Sequence, residues 1–154
     1  MFGLGHALAM LGAGLAIMLP GIGSAYAVAK AGQTVAGLTT EQPKSFIRAF
    51  FLHIFMATNG IYGFVGAFLI YQKIWIEPGV LAEMTTSHGL GLLFASLPLA
   101  IVGLLSAFAQ SKVSRASIQM LGKQNDSFGK GLMLTGIVEM YCILALVITI
   151  FLIG

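Results

Sequence analysis

Residues 131–153 read GLMLTGIVEMYCILALVITIFLI, and a single residue in that run, Glu139, carries a formal charge. A hydrocarbon core needs roughly 20 apolar residues as helix, so the run is long enough to cross a bilayer with a carboxylate near its middle. Three other stretches have the same character. They run from Phe2 to Ala29, from Ala49 to about Tyr71 and from about Gly89 to Ala109. Backbone groups in lipid must be satisfied internally, and alternating β-branched patterns are absent, so each span is expected to be a helix. The expected fold is an all-α membrane protein with four transmembrane helices.

Composition agrees. Of 154 residues, 58% are apolar and 8% are Asp, Glu, Lys or Arg, against about a quarter charged in a soluble domain. A water-soluble enzyme, a nucleic-acid binder and a disordered tail are excluded. The net charge of +3 comes from scattered basic residues, which suit membrane orientation better than phosphate binding. One cysteine, Cys142, permits no internal disulfide. Ala25-Tyr26-Ala27 resembles a leader cleavage site, but no Lys or Arg precedes Lys30, so the first span is read as retained.

Loop charge orients the chain. Lys30, Lys44 and Arg48, with Glu41, separate spans one and two; Lys112, Arg115, Lys123 and Lys130, with Asp126, separate three and four. Between two and three stands Lys73, beside Glu77 and Glu83. The positive-inside rule puts the first and last loops in the cytoplasm and both termini outside, with Tyr71 and Trp75 anchoring the outer interface.

Displacing the chain by 82 residues aligns its halves without a gap. His6, Leu8, Leu11, Ala13 and Leu15 fall on His88, Leu90, Leu93, Ala95 and Leu97. Gly21, Ser24, Ala25, Ala27 and Lys30 fall on Gly103, Ser106, Ala107, Ala109 and Lys112, and Phe46, Leu52, Ile61 and Val65 on Phe128, Leu134, Ile143 and Val147. The protein reads as two fused hairpins in the same orientation, residues 1–76 and 84–154. Small residues crowd the odd spans: Gly5, Ala9, Gly12, Ala16, Gly23 and Ala27 in the first, and Ser96, Ala100, Gly103, Ala107, Gln110 and Ser114 in the third. Such stripes let helices approach closely. Small residues on more than one face also suit packing against neighbouring copies, with the odd helices as an inner ring.

Glu139 is the functional candidate. A charge at mid-bilayer costs roughly 2.5–3.5 kcal/mol on insertion scales, so the group is expected to be held neutral, protonated or paired with a cation. No Lys or Arg lies within any span. Its counterpart in the first hairpin is Ala57, which leaves one carboxylate per four helices. Oxygen donors at comparable depth are Gln110, Thr58, Asn59, Tyr62, Thr135 and Tyr141. All but Tyr141 have a plainer reading. Gln110 and Asn59 can bond helix to helix, Thr58 and Thr135 can bond their own backbone, and Tyr62 can reach the interface instead of Glu139. Cys142 reads as a small buried residue, and His6, His53 and His88 as interfacial.

Gly21-Ile22-Gly23-Ser24-Ala25, Gly60-Ile61-Tyr62-Gly63-Phe64, Ala109-Gln110-Ser111-Lys112-Val113 and Val138-Glu139-Met140-Tyr141-Cys142-Ile143-Leu144 together carry a resemblance over nearly the whole chain. The chain resembles the proteolipid rotor subunit of vacuolar-type rotary ATPases, in the bacterial form with four helices. The resemblance implies several copies in a membrane ring, spans one and three inside, and spans two and four toward lipid and the stator. It makes Glu139 the ion-binding carboxylate. In sodium-pumping relatives the ion is also held by side chains matching Thr58, Gln110 and a Gln where this chain has the shorter Asn59. A backbone carbonyl matching Phe55 adds a ligand, and a tyrosine matching Tyr62 hydrogen-bonds the carboxylate. The methionine after Glu139 stands where a threonine is common. The resemblance further implies a stator arginine, a central stalk docking on loops 31–45 and 114–127, a bacterial plasma membrane and no hydrolysis by this chain. No cofactor is implied. Na⁺ is the favoured cargo, because a hard cation wants several oxygens where a proton needs few; H⁺ is the alternative.

Two rivals differ in class. A stand-alone four-helix transporter or channel needs polar residues at several depths, whereas one charged depth exists here and the repeat is parallel, not inverted. A structural tetraspan scaffold gives no reason for Glu139.

Overall fold

The computed structural model describes residues 3–76 and 84–154. Phe2 and the loop carboxylates Glu77 and Glu83 lie outside the described residues. Helix α1 is Leu4–Glu41, α2 Phe46–Ile54, α3 Thr58–Trp75, α4 Thr86–Lys123 and α5 Phe128–Ile153. Helices α2 and α3 belong to one span, Pro43–Trp75, interrupted by a tight 3₁₀ turn at Phe55–Ala57. Among the described residues four helical spans are therefore long and apolar enough to cross a membrane, as read from the sequence.

The helices outrun the expected spans. α1 and α4 each hold 38 residues, about 57 Å of helix against roughly 30 Å of hydrocarbon. The segments expected to be loops, 31–45 and 114–127, are mostly helix, and the connections shrink to residues 42–45 and 124–127. Hydropathy falls after Lys30 and Lys112, but helical periodicity does not. Ala27, Ala31 and Val35 stay buried and share one cluster with Ile118 and Leu121 of α4. No proline interrupts α1 there until Pro43.

The duplication extends to backbone detail. α1 and α4 begin and end 82 residues apart. After α1, the Gln42 N–H donates to Leu38 O at 2.8 Å and the Ser45 N–H to Gln42 O at 3.0 Å. After α4, Gln124 donates to Met120 O at 2.9 Å and Ser127 to Gln124 O at 3.0 Å. The Gln42 side chain ties the two turns together, its Nε2 donating to Gly122 O at 2.7 Å.

The most extensive contact runs between α1 and α4; α3 lies against α1, α5 against α4, and α3 meets α5. Every residue of both small-residue stripes is buried. A Cβ on Gly12 would stand 2.9 Å from Leu93 Cα, and one on Gly23 2.9 Å from Ala107 Cβ. Close approach of backbones, not large side chains, holds the central pair. By contrast a Cβ on Gly14, Gly21 or Gly91 would meet nothing. Large apolar side chains such as Phe64, Phe68, Ile137, Leu144 and Phe151 are exposed, as a lipid-facing surface requires.

Candidate functional site

Helix α5 buries one stripe at three- and four-residue steps: Gly131, Thr135, Glu139, Cys142, Ala145 and Thr149. Glu139 is 7% exposed, so the carboxylate faces the bundle because it shares the register of small residues around it. Ile137, Met140, Tyr141 and Leu144 are exposed, which takes Tyr141 away from the site.

Three helices converge on this point. From α3, the Tyr62 hydroxyl donates to Glu139 Oε1 at 2.6 Å, the short distance of a bond to a carboxylate. Asn59 Nδ2, also from α3, donates to Gln110 Oε1 of α4 at 2.7 Å. Gln110 Nε2 in turn donates to the Thr135 carbonyl of α5 at 3.5 Å, one turn before Glu139. Asn59, Gln110 and Thr135 are all 0% exposed. A span ending near Ala109 would leave Gln110 at a helix end; with α4 continuing to Lys123, it stands in mid-helix.

The structure thus joins Glu139 to Tyr62, and Asn59 to Gln110 and α5. Thr58 and Phe55 are joined to each other. The Thr58 hydroxyl donates to Phe55 O at 2.7 Å, and the Thr58 N–H uses the same carbonyl. This is the backbone bonding expected of a threonine in a helix.

Not read from the sequence was the 3₁₀ turn beneath the site and the serines that serve it. Ser24 of α1 donates to Met56 O at 2.7 Å, and Ser114 of α4 to Leu52 O at 2.9 Å. Their only signals were Ser24 within the run Gly21–Ala25 and Ser114 within the small-residue stripe of the third span, and no proline or glycine lies among residues 55–57 to mark the turn. Ala57, the counterpart of Glu139, falls inside it. Of the histidines, His6 is buried, His53 is half-buried with its ring against Gly32, and His88 is exposed.

Two oxygens at the site are buried without a hydrogen-bond partner: Asn59 Oδ1 and Thr135 Oγ1. Each such atom costs about 1–3 kcal/mol when nothing replaces its water. Among the described residues no three His, Cys, Asp or Glu side chains gather. One carboxylate with neutral amide and hydroxyl oxygens can balance a single positive charge, and a divalent ion would remain charged.

A repeated helical hairpin with apolar spans and, among the described residues, one buried carboxylate defines a membrane proteolipid. The chain belongs to the ATP synthase C-subunit family, matching it over residues 11–70 and again over residues 93–152. The two matched segments begin and end 82 residues apart, so each hairpin is one family unit. The chain is 41% identical to the V-type sodium ATPase subunit K of Enterococcus hirae, over 97% of this chain and 92% of that protein. It is 30% identical to the A-type ATP synthase subunit K of Methanocaldococcus jannaschii, over 94% of this chain and 61% of the relative.

Proposed function

We propose that this chain is the ion-carrying rotor subunit of a V-type ATPase, with one Na⁺ bound per copy at Glu139. The observation that carries this reading is a buried carboxylate with Tyr62 on one oxygen and unpartnered oxygens of Asn59 and Thr135 close by. The name of the Enterococcus relative favours Na⁺ over H⁺. Gln110, Thr58, Asn59 and the Phe55 carbonyl supply the remaining oxygens, and Tyr62 orients the carboxylate. The Thr58 hydroxyl gives its proton to Phe55 O and keeps its lone pairs for the ion, whereas the Phe55 carbonyl already accepts two donors and must release one to reach it.

Copies assemble into a ring with α1 and α4 inside and the α3 and α5 faces toward lipid and the stator. The open space at Gly14, Gly21 and Gly91 supports this, since small residues that meet nothing in one protomer fit a neighbour's helix. In lipid the site must be neutral, so Glu139 holds its ion. Facing an aqueous path in the stator it releases the ion, and a stator arginine balances the bare carboxylate. ATP hydrolysis in a soluble head drives the rotation; this chain hydrolyses nothing. A central stalk docks on the protruding ends of α1 and α4, where a cleft of about 540 Å³ is lined by Lys30, Glu41, Arg115 and Lys123 among others. These ends lie in the cytoplasm of a bacterium and both termini lie outside the plasma membrane. The hairpins 1–76 and 84–154 descend from a carrier with a carboxylate in each, which position 57 has lost. Fewer carboxylates per helix move fewer ions per turn with more force on each, which favours pumping.

Carbodiimide labelling of the purified ring, read by mass spectrometry, tests the reading, because the reagent needs a protonated carboxyl. Modification is expected at Glu139 alone. At fixed pH, Na⁺ at 100 times its dissociation constant slows it about 100-fold, as one-site competition requires. Dependence on pH without any effect of Na⁺ makes H⁺ the cargo. No labelling at Glu139 under any condition overturns the carrier role. The same assay reads Tyr62. Tyr62→Phe removes a donor to a charged acceptor, worth about 1.5–3 kcal/mol, and raises the half-protecting Na⁺ concentration about 10–100-fold.

A further inference from the structure

We propose that the Thr135 hydroxyl is a further ligand oxygen for the transported cation; the inference rests on reading Glu139 as a Na⁺ carrier. A helical threonine ordinarily donates its hydroxyl to the carbonyl four residues back, here Gly131 O. That carbonyl already receives the helix's own N–H and a second donor, Ser117 Oγ of α4 at 3.3 Å, and a carbonyl has two lone pairs. Thr135 Oγ1 is fully buried and without a hydrogen-bond partner.

Its position gives the hydroxyl something to do. Thr135 and Glu139 are neighbours on the buried stripe of α5. Helical side chains lean toward the N-terminus, so the Glu139 carboxyl lies back over the turn that carries Thr135. The Thr135 carbonyl draws in the Gln110 amide, and Gln110 holds Asn59, whose Oδ1 also lacks a partner. Unpartnered oxygens from α3 and α5 thus flank one glutamine beneath one carboxylate. A hard monovalent cation recruits such neutral oxygens.

The test uses full-length protein in its ring and compares Thr135→Val, which keeps the shape and loses the hydroxyl, with Thr135→Ser, which keeps the hydroxyl. The readout is the Na⁺ concentration that halves carbodiimide labelling of Glu139 at fixed pH. Thr135→Val is expected to raise it about tenfold, the size of one lost polar contact. Thr135→Ser is expected to stay within about twofold of the unsubstituted protein, and both variants to label normally without Na⁺. Equal half-protecting concentrations for the valine and unsubstituted proteins overturn the proposal. If the valine protein fails to assemble, Thr135→Ala, which cannot overpack, is compared with Thr135→Ser, and equality of those two overturns it likewise. Absence of Na⁺ protection in the unsubstituted protein removes the sodium reading first, and this ligand with it.

Discussion

Glu139→Gln is expected to leave a folded ring that carries no ions. The amide has almost the shape of the carboxyl and stays neutral, so the helices that close on it keep their packing, and Tyr62 can still donate to the amide oxygen. What the amide cannot do is hold a negative charge. A cation bound beside it would enter lipid unbalanced, at about 2.5–3.5 kcal/mol or more, so ion occupancy falls on the order of 100-fold or further. With the complex reconstituted in vesicles, ATP-driven ²²Na⁺ uptake drops by at least that factor, and carbodiimide labelling disappears. Uptake within tenfold of normal would mean that the charge crosses the membrane elsewhere. No other Asp or Glu falls within the four apolar stretches, so there is no second carboxylate in lipid to take over.

Glu139, the proposed carrier, stands out in the sequence because its signal is solitary: one charge in a run of apolar residues. The spans and the 82-residue repeat were legible for a related reason. Both are patterns of residue type, and the repeat reappears as matching turns at Gln42 and Gln124. Helix ends were not legible. Hydropathy marks where lipid stops, whereas α1 continues to Glu41 because Ala31 and Val35 still find Ile118 and Leu121 across the groove. Hydroxyl partners were illegible for a different reason. Thr58 and Thr135 look alike in sequence, and backbone bonding was the plainer expectation for both. Thr58 follows it. Thr135 does not, and Ser117 of another helix donates to the carbonyl four residues before it, a fact of packing that no local spacing contains. The 3₁₀ turn at Phe55–Ala57 is similar, since Ser24 takes its Met56 carbonyl and Ser114 takes the Leu52 carbonyl in the helix before it, both from helices far away in the chain.

Gly63→Val is expected to be strongly damaging although it lies outside the set of proposed ion ligands. α3 is held against α1 through a notch at Gly63. A Cβ there would lie 2.7 Å from the Ala16 backbone oxygen and 3.1 Å from Pro20 Cβ, neither of which can swing aside. Pro20 is itself wedged on its other side, 2.7 Å from where a Cβ on Gly103 would stand. Valine adds two further methyl groups to this contact, so α3 must move away from α1. Overpacking costs typically 1–3 kcal/mol and occasionally more; with rigid backbone as the obstacle, about 3 kcal/mol is expected, read as a lowered midpoint of detergent-driven unfolding. Gly136→Val is the matched control, because a Cβ there meets nothing within 4 Å and valine is a somewhat better helix former than glycine. Its midpoint should hold or rise slightly. Equal losses in both variants would show that branched bulk in a span, not the close approach of α3 to α1, sets the cost. The position adjoins Tyr62, so a displaced α3 also carries the phenol away from Glu139. Gly63→Val should then weaken Na⁺ protection of the carboxylate at least as much as Tyr62→Phe does, in whatever fraction of the protein still folds.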